Sequence, residues 1–264
     1  MNQPVIAAWL GLPGWGIFLG LIGFYGATGA IILFVCFKPA WRKGVLSFNG
    51  IVPPFFVAPG IIFSLMMSFL ASDVWERDRL ASHSVLDERD AVAAVYDLAG
   101  ATGTAMPKLR EATREYLASV LHDELPRMHH AGESPQTTLA LDSLMRLAMD
   151  PAIAQQAGPA LQGALISAVL RIASDRSSML ALSANEIDGY KWSFVLLLAL
   201  FGQIGVAVVH LDRIRPHIMA QVIFTLASIT ALGLIAICEE PFHGWHQVSL
   251  APLEMLLEGP LRAD

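Results

Sequence analysis

Residues 2–37 carry no charged side chain, and within them Gly14–Phe37 forms an apolar run of 24 residues. A helix rises about 1.5 Å per residue, so this run is long enough to cross a hydrocarbon core of about 30 Å. Trp15 stands at one end and Trp41 just past the other, where amphipathic aromatic rings favour the membrane–water boundary. The run is too long for a signal peptide and has no basic residue before it, so it reads as a span. Glycines recur at positions 16, 20, 23, 26 and 29, and the Gly16/Gly20 pair reads as a small-residue face for close helix packing.

Three more uncharged runs follow, at residues 44–72, 192–209 and 218–238. Charged residues make up 15% of the chain and hydrophobic ones 55%. Soluble domains carry about 25% charge, and a charge at mid-bilayer costs roughly 2.5–3.5 kcal/mol. The fold class expected is all-α: a polytopic membrane protein with four transmembrane helices. A helical domain is inserted between the second and third. Residues 1–72 hold spans one and two (about 14–37 and 51–72), and residues 73–191 form the extramembrane domain. Residues 192–238 hold spans three and four, and 239–264 are a tail.

The second apolar run exceeds one straight span and holds Pro53, Pro54 and Pro59. Proline removes an amide donor and clashes with the preceding turn, and broken helix at membrane depth survives only against protein or a water-filled cavity. These prolines therefore point to a pore-helix break. After Ser72 the sequence turns abruptly polar without a helix breaker before Gly100, so the second span is expected to continue out of the bilayer. Val85, Val92, Val95 and Leu98 mark an apolar stripe on that continuation. The intervening Asp87-Glu88-Arg89-Asp90 reads as a solvated, salt-bridged face. Helices are also expected from Pro107 to about Arg127, over 139–149 and over 161–183.

Residues 73–191 contain 11 of the 17 basic and 17 of the 23 acidic side chains, so this domain carries the whole net charge of −6. An acidic domain argues against nucleic acid as a partner. Cys36 and Cys238 lie at the ends of apolar runs and read as small hydrophobes. His129-His130, and the pair His243 and His246, make poor metal ligand sets, and no cofactor or metal is expected. No phosphate loop or nucleophile elbow is present, which argues against an enzyme. Within the spans Gln203 and Gln221 read as isolated polar residues, and His210 sits at a span edge.

With these features in hand, the sequence resembles bestrophin ion channels, and more closely the bacterial bestrophin-like domain family of unknown function. The second span ends Phe63-Ser64-Leu65-Met66-Met67-Ser68-Phe69 and reaches Trp75, similar to the family's apolar pore helix running out into a tryptophan. A long helical insertion separates spans two and three. The fourth span is followed by Glu239-Glu240-Pro241-Phe242-His243-Gly244, similar to the family's acidic-Pro-Phe-Gly tail.

The resemblance implies a homopentamer in a bacterial inner membrane, with a central pore lined by the second span and with termini and domain cytoplasmic. Charge alone leaves the sidedness tied. Carried over by distance from Trp75, the pore neck falls at Val57, Ile61 and Leu65, extending to Phe69, and the tail residues Glu239, Glu240, Pro241 and Phe242 serve assembly or gating. Small inorganic ions are the expected cargo, an anion such as chloride by resemblance, a cation by the field of the acidic domain. His243, Gly244, Trp245 and His246 stand where calcium-activated members carry acidic residues, which speaks against calcium activation. The rival reading is a non-conducting membrane sensor or scaffold whose helical domain binds a partner.

Overall fold

The computed structural model describes residues 4–47, 57–100, 106–128, 132–184, 189–242, 245–259 and 261. Among them there is no strand. Twelve α-helices follow in order: α1 (Pro4–Leu10), α2 (Gly14–Phe37), α3 (Pro39–Leu46), α4 (Val57–Gly100), α5 (Pro107–Ser119), α6 (Leu125–Arg127), α7 (Pro135–Ala148), α8 (Pro151–Ala157), α9 (Pro159–Ala184), α10 (Gly189–Val209), α11 (Ile214–Ala236) and α12 (Ala251–Glu258). A π-helical turn, Val120–Glu124, joins α5 to α6. The chain divides into two compact units, the first built from residues 1–76, 187–240 and 244–246, the second from 77–186, 241–243 and 247–264.

In the first unit, α2, the start of α4, α10 and α11 are each long and apolar enough to cross a membrane. Their core is small: Ile17, Leu21 and Tyr25 of α2 meet Leu70 and Val74 of α4, Trp192 and Val195 of α10, and Leu232 and Ile235 of α11. Trp192 is fully buried and meets Trp9 edge to face, with ring centroids 5.5 Å apart. Most remaining large apolar side chains point outward, among them Leu19, Ile31, Phe34, Phe201, Ile223 and Leu234. Water would penalise such a surface, whereas lipid does not. The chain is a membrane protein.

The unit's ends are tied by charge. Lys191, at the start of α10, donates to Asp73 of α4 at 2.6 Å. These two residues flank the third and second apolar runs, so the pair brings those run ends to one level. At the other ends, Arg42 of α3 donates to the carbonyls of Cys36 (3.0 Å) and Leu211 (3.1 Å). That guanidinium joins the α2–α3 corner to the α10–α11 turn. The Gly16/Gly20 face expected from sequence has a different use. A Cβ on Gly20 would lie 2.8 Å from Trp9 Nε1, so this glycine seats the α1 indole, while Gly16 meets only its own chain's Leu12 and Pro13.

The second unit contains the rest of α4, then α5 to α9 and α12. Its core joins Val85, Val92 and Val95 of α4 to Tyr116 and Leu117 of α5, Leu144 of α7, Leu165, Val169, Ile172 and Met179 of α9, and Leu253 of α12. Caps set the helix starts. The Ser134 hydroxyl accepts from Thr137 N at the head of α7, and the Asp150 carboxylate from Ala152 N at the head of α8. Gly158, at φ +89°, ends α8 and Pro159 opens α9.

One expectation is corrected here. Glu88 is not on a solvated face: it is fully buried and accepts a hydrogen bond from Tyr116 Oη at 2.6 Å. The reason is helical geometry, because residues 85, 88, 92 and 95 follow the i, i+3, i+4 pattern of one face. Its neighbours Arg89 and Asp90 are exposed and pair with each other. A second buried carboxylate, Glu124, is gripped by Arg176 of α9 through Nε (2.9 Å) and Nη2 (2.6 Å).

Candidate pore-lining face

The start of α4 has two unlike sides. Phe63, Met66, Met67, Leu70, Ala71 and Val74 turn toward the core of the first unit. Val57, Ile61, Leu65 and Phe69 turn away from it and are 49 to 61% exposed. Four-residue spacing places these four in one row up the helix. A shallow groove runs along the row, lined by Val57, Gly60, Ile61, Ser64, Leu65 and Ser68. The two serines do not make it polar. Ser64 Oγ donates to the carbonyl of Gly60 (3.0 Å) and Ser68 Oγ to that of Ser64 (2.9 Å), so both hydroxyls are spent on their own helix.

Pro59 lies in the first described turn of α4, where a missing amide costs no intrahelical bond. Pro53 and Pro54 lie outside the described residues, as do His129, His130, His243 and Gly244. Trp75 is exposed, and α4 runs past it unbroken to Gly100.

The tail residues divide between the two units. Glu239 is buried in the first, where its Oε2 accepts from Trp192 Nε1 at 3.2 Å. Pro241 and Phe242 belong to the second. There Phe242 packs on the core beside Val248, Leu250 and Leu257, and the Pro241 carbonyl accepts from Val248 N at 2.8 Å.

The membrane unit also holds a polar cluster around Gln203, which is therefore not isolated. Gln203 of α10 accepts from Thr28 Oγ1 (2.7 Å) and donates to Thr225 Oγ1 (2.8 Å) and the Tyr25 carbonyl (3.0 Å). Thr28, Gln203 and Thr225 sit on three different helices, so no spacing in the sequence joins them, and Gln221, one turn before Thr225, has no hydrogen-bond partner. Among the described residues no three His, Cys, Asp or Glu side chains converge as metal ligands do.

Comparison with known proteins bears on this arrangement. A crystal structure of a bacterial Bestrophin homolog from Klebsiella pneumoniae, carrying a mutation, superposes with a TM-score of 0.67. The match covers 94% of this chain and 99% of that one at 13% sequence identity. A crystal structure of a membrane protein variant matches with a TM-score of 0.64, over 91% of this chain and 96% of that one, again at 13% identity. Likeness at that identity is a likeness of fold. No curated protein matches the sequence. Residues 23–253 match the Bestrophin-like domain. The chain therefore belongs to the Bestrophin-like domain family.

Proposed function

We propose that the chain is the subunit of an oligomeric ion channel whose central pore is lined by the start of α4. The observation that carries this reading is the row Val57, Ile61, Leu65 and Phe69, turned away from the subunit's own core on a helix that continues into the acidic second unit. A ring of such rows, one from each of five subunits, makes an apolar constriction that gates by dewetting. Membership of the family and the fold shared with a bacterial Bestrophin homolog support it.

In this reading residues 1–72 and 192–238 form the membrane part, and residues 73–191 a vestibule facing the cytoplasm together with both termini. Glu239 and Glu240 anchor the tail, and Pro241 and Phe242 link it to the vestibule. The ion is small and inorganic: chloride by family resemblance, with a cation favoured if the charge of the vestibule dominates. The protein itself performs no chemistry.

The deciding experiment is native mass spectrometry of the detergent-purified protein, followed by ion flux from liposomes. A pentamer that dissipates a chloride or potassium gradient supports the channel. A monomer or dimer, in detergents that keep other channels assembled, leaves no central pore. The helical unit would then be a sensor or scaffold.

A further inference from the structure

Between α2 and α11, within the membrane unit, lies a cavity of about 400 Å³. That is the size of a site for a drug-sized molecule. Its walls are almost wholly apolar, from Ile22, Leu33, Val222 and Leu226 among others, and no formally charged side chain lines it. Two polar side chains in it, Gln221 and His217, are unaccounted for. Gln221 is 6% exposed, and neither its Oε1 nor its Nε2 has a hydrogen-bond partner. The His217 ring, one turn earlier, is fully buried and lies edge-on to Phe37, and neither of its nitrogens has a hydrogen-bond partner. Two other polar groups lining it are engaged: the Tyr25 hydroxyl donates to the Leu196 carbonyl at 2.9 Å, and Thr225 accepts from Gln203.

A carboxamide left bare at membrane depth costs several kcal/mol, because lipid tails offer it nothing in return. Gln221 lies three residues into the uncharged run 218–238, about 5 Å past its start. A phospholipid headgroup would bring a charged phosphate, and no Lys or Arg side chain lines the cavity to meet it. The carboxamide offers one acceptor and two donors and carries no charge. An ion would lose its hydration there for an amide and an imidazole, with no charged side chain to meet it, so the complement is an uncharged group. There is room opposite at Gly26, where an added Cβ meets nothing within 4 Å, whereas one at Gly29 would touch the amides of both Gln203 and Gln221 at 3.7 Å.

We infer that this cavity binds a lipid-soluble, uncharged molecule bearing a hydroxyl or carbonyl group on an apolar skeleton, with Gln221 as its hydrogen-bonding anchor. The site is separate from the pore-lining row and does not depend on whether the protein conducts.

The test uses the full-length protein in nanodiscs and a long-chain alcohol carrying a diazirine, with mapping of the photolabelled residues by mass spectrometry. Saturable labelling within residues 22–33 and 218–229, competed by the unlabelled alcohol, is expected. Gln221→Leu should weaken half-saturation about fivefold, the loss of one buried hydrogen bond. Gly26→Leu, which fills open space, should abolish the labelling while the protein elutes as wild type. Competition by a long-chain quinone would place carbonyl compounds in the same site, and competition by the alcohol alone would restrict it to hydroxyls. Labelling that does not saturate, or that neither variant changes, would overturn the proposal. So would disulfide cross-links between copies through Gly26→Cys, which would show that a second subunit fills the cavity.

Discussion

Tyr116 Oη and Glu88 Oε1 stand 2.6 Å apart in the core of the helical unit, one on α5 and the other on α4. Both residues are fully buried. Burial pushes the Glu88 carboxyl up to about 8, opposed by the hydrogen bond from Tyr116 and reinforced by Glu124 and Asp175, with Arg176 pulling it back down. Two carboxylates, Glu88 and Glu124, thus share one guanidinium. That guanidinium is committed to Glu124. Below about pH 8, Glu88 keeps its proton.

The sign of the resulting pH dependence follows. The folded carboxyl titrates near 8 and the unfolded one near 4.5. Between those values the folded state holds a proton that the unfolded state has lost. Stability is therefore full below about 4.5, falls as pH rises, and stops changing above about 8, by a few kcal/mol at most. Thermal unfolding of the helical unit, followed by circular dichroism from pH 5 to 9, should show this fall. Glu88→Gln should flatten it and leave the protein more stable than wild type at pH 8.5. A wild-type profile that rises with pH over this range would contradict the assignment.

The Arg176–Glu124 pair makes a sharper prediction. Arg176→Met strands a buried carboxylate and should cost about 3–5 kcal/mol. Adding Glu124→Gln removes the charge and should restore a large part of that loss. If the double variant is as unstable as the single one, the ion pair is not what Arg176 supplies. Arg176 also donates to Thr138 Oγ1 (2.9 Å) and pairs with Glu133 (3.4 Å), so full recovery is not expected.

Much of this was legible in the sequence, and the misses have physical causes. Uncharged runs locate all four spanning helices because lipid imposes length and apolarity together. The Val85, Val92 and Val95 stripe locates the buried side of α4 in the helical unit. Glu88 was hidden by its type: a glutamate amid Asp87, Arg89 and Asp90 looks solvated, although its register puts it with the valines. The partners that make its burial tolerable, Tyr116, Glu124 and Arg176, are distant in sequence, and only the fold collects them. Gln203 and its partners were missed for the same reason, since Thr28, Gln203 and Thr225 sit on three different helices. The π-helical turn Val120–Glu124 comes just before Pro126, which has no amide to give the His122 carbonyl and crowds it, a signal the sequence carries.

Trp192 and Glu239 join α10 to the residues that follow α11. Trp192→Phe keeps the buried ring but removes the donor to Glu239. It should cost about 1–3 kcal/mol, the penalty for depriving a buried carboxylate of a hydrogen bond. Phe242→Ala should act on the other unit, whose core Phe242 joins. A difference in which unit melts first, read from hydrogen exchange of α10 against α9, separates the two effects. Equal loss of protection in both helices for both variants would show that the tail does not act on each unit separately.

The apolar row on α4 faces either a pore or lipid, and truncation tells these apart. In a pore, Ile61→Ala and Leu65→Ala widen a ring of side chains and lower the cost of wetting it. Single-channel conductance in planar bilayers should then rise for each, and further for the double variant. Facing lipid, the same truncations remove contacts to acyl chains and leave conductance alone. Leu19→Ala on α2, equally outward-facing in the subunit but off the row, is the matched control. Both α4 variants matching this control in conductance would remove Ile61 and Leu65 from the ion path. A rise confined to the α4 variants would assign the row to the pore.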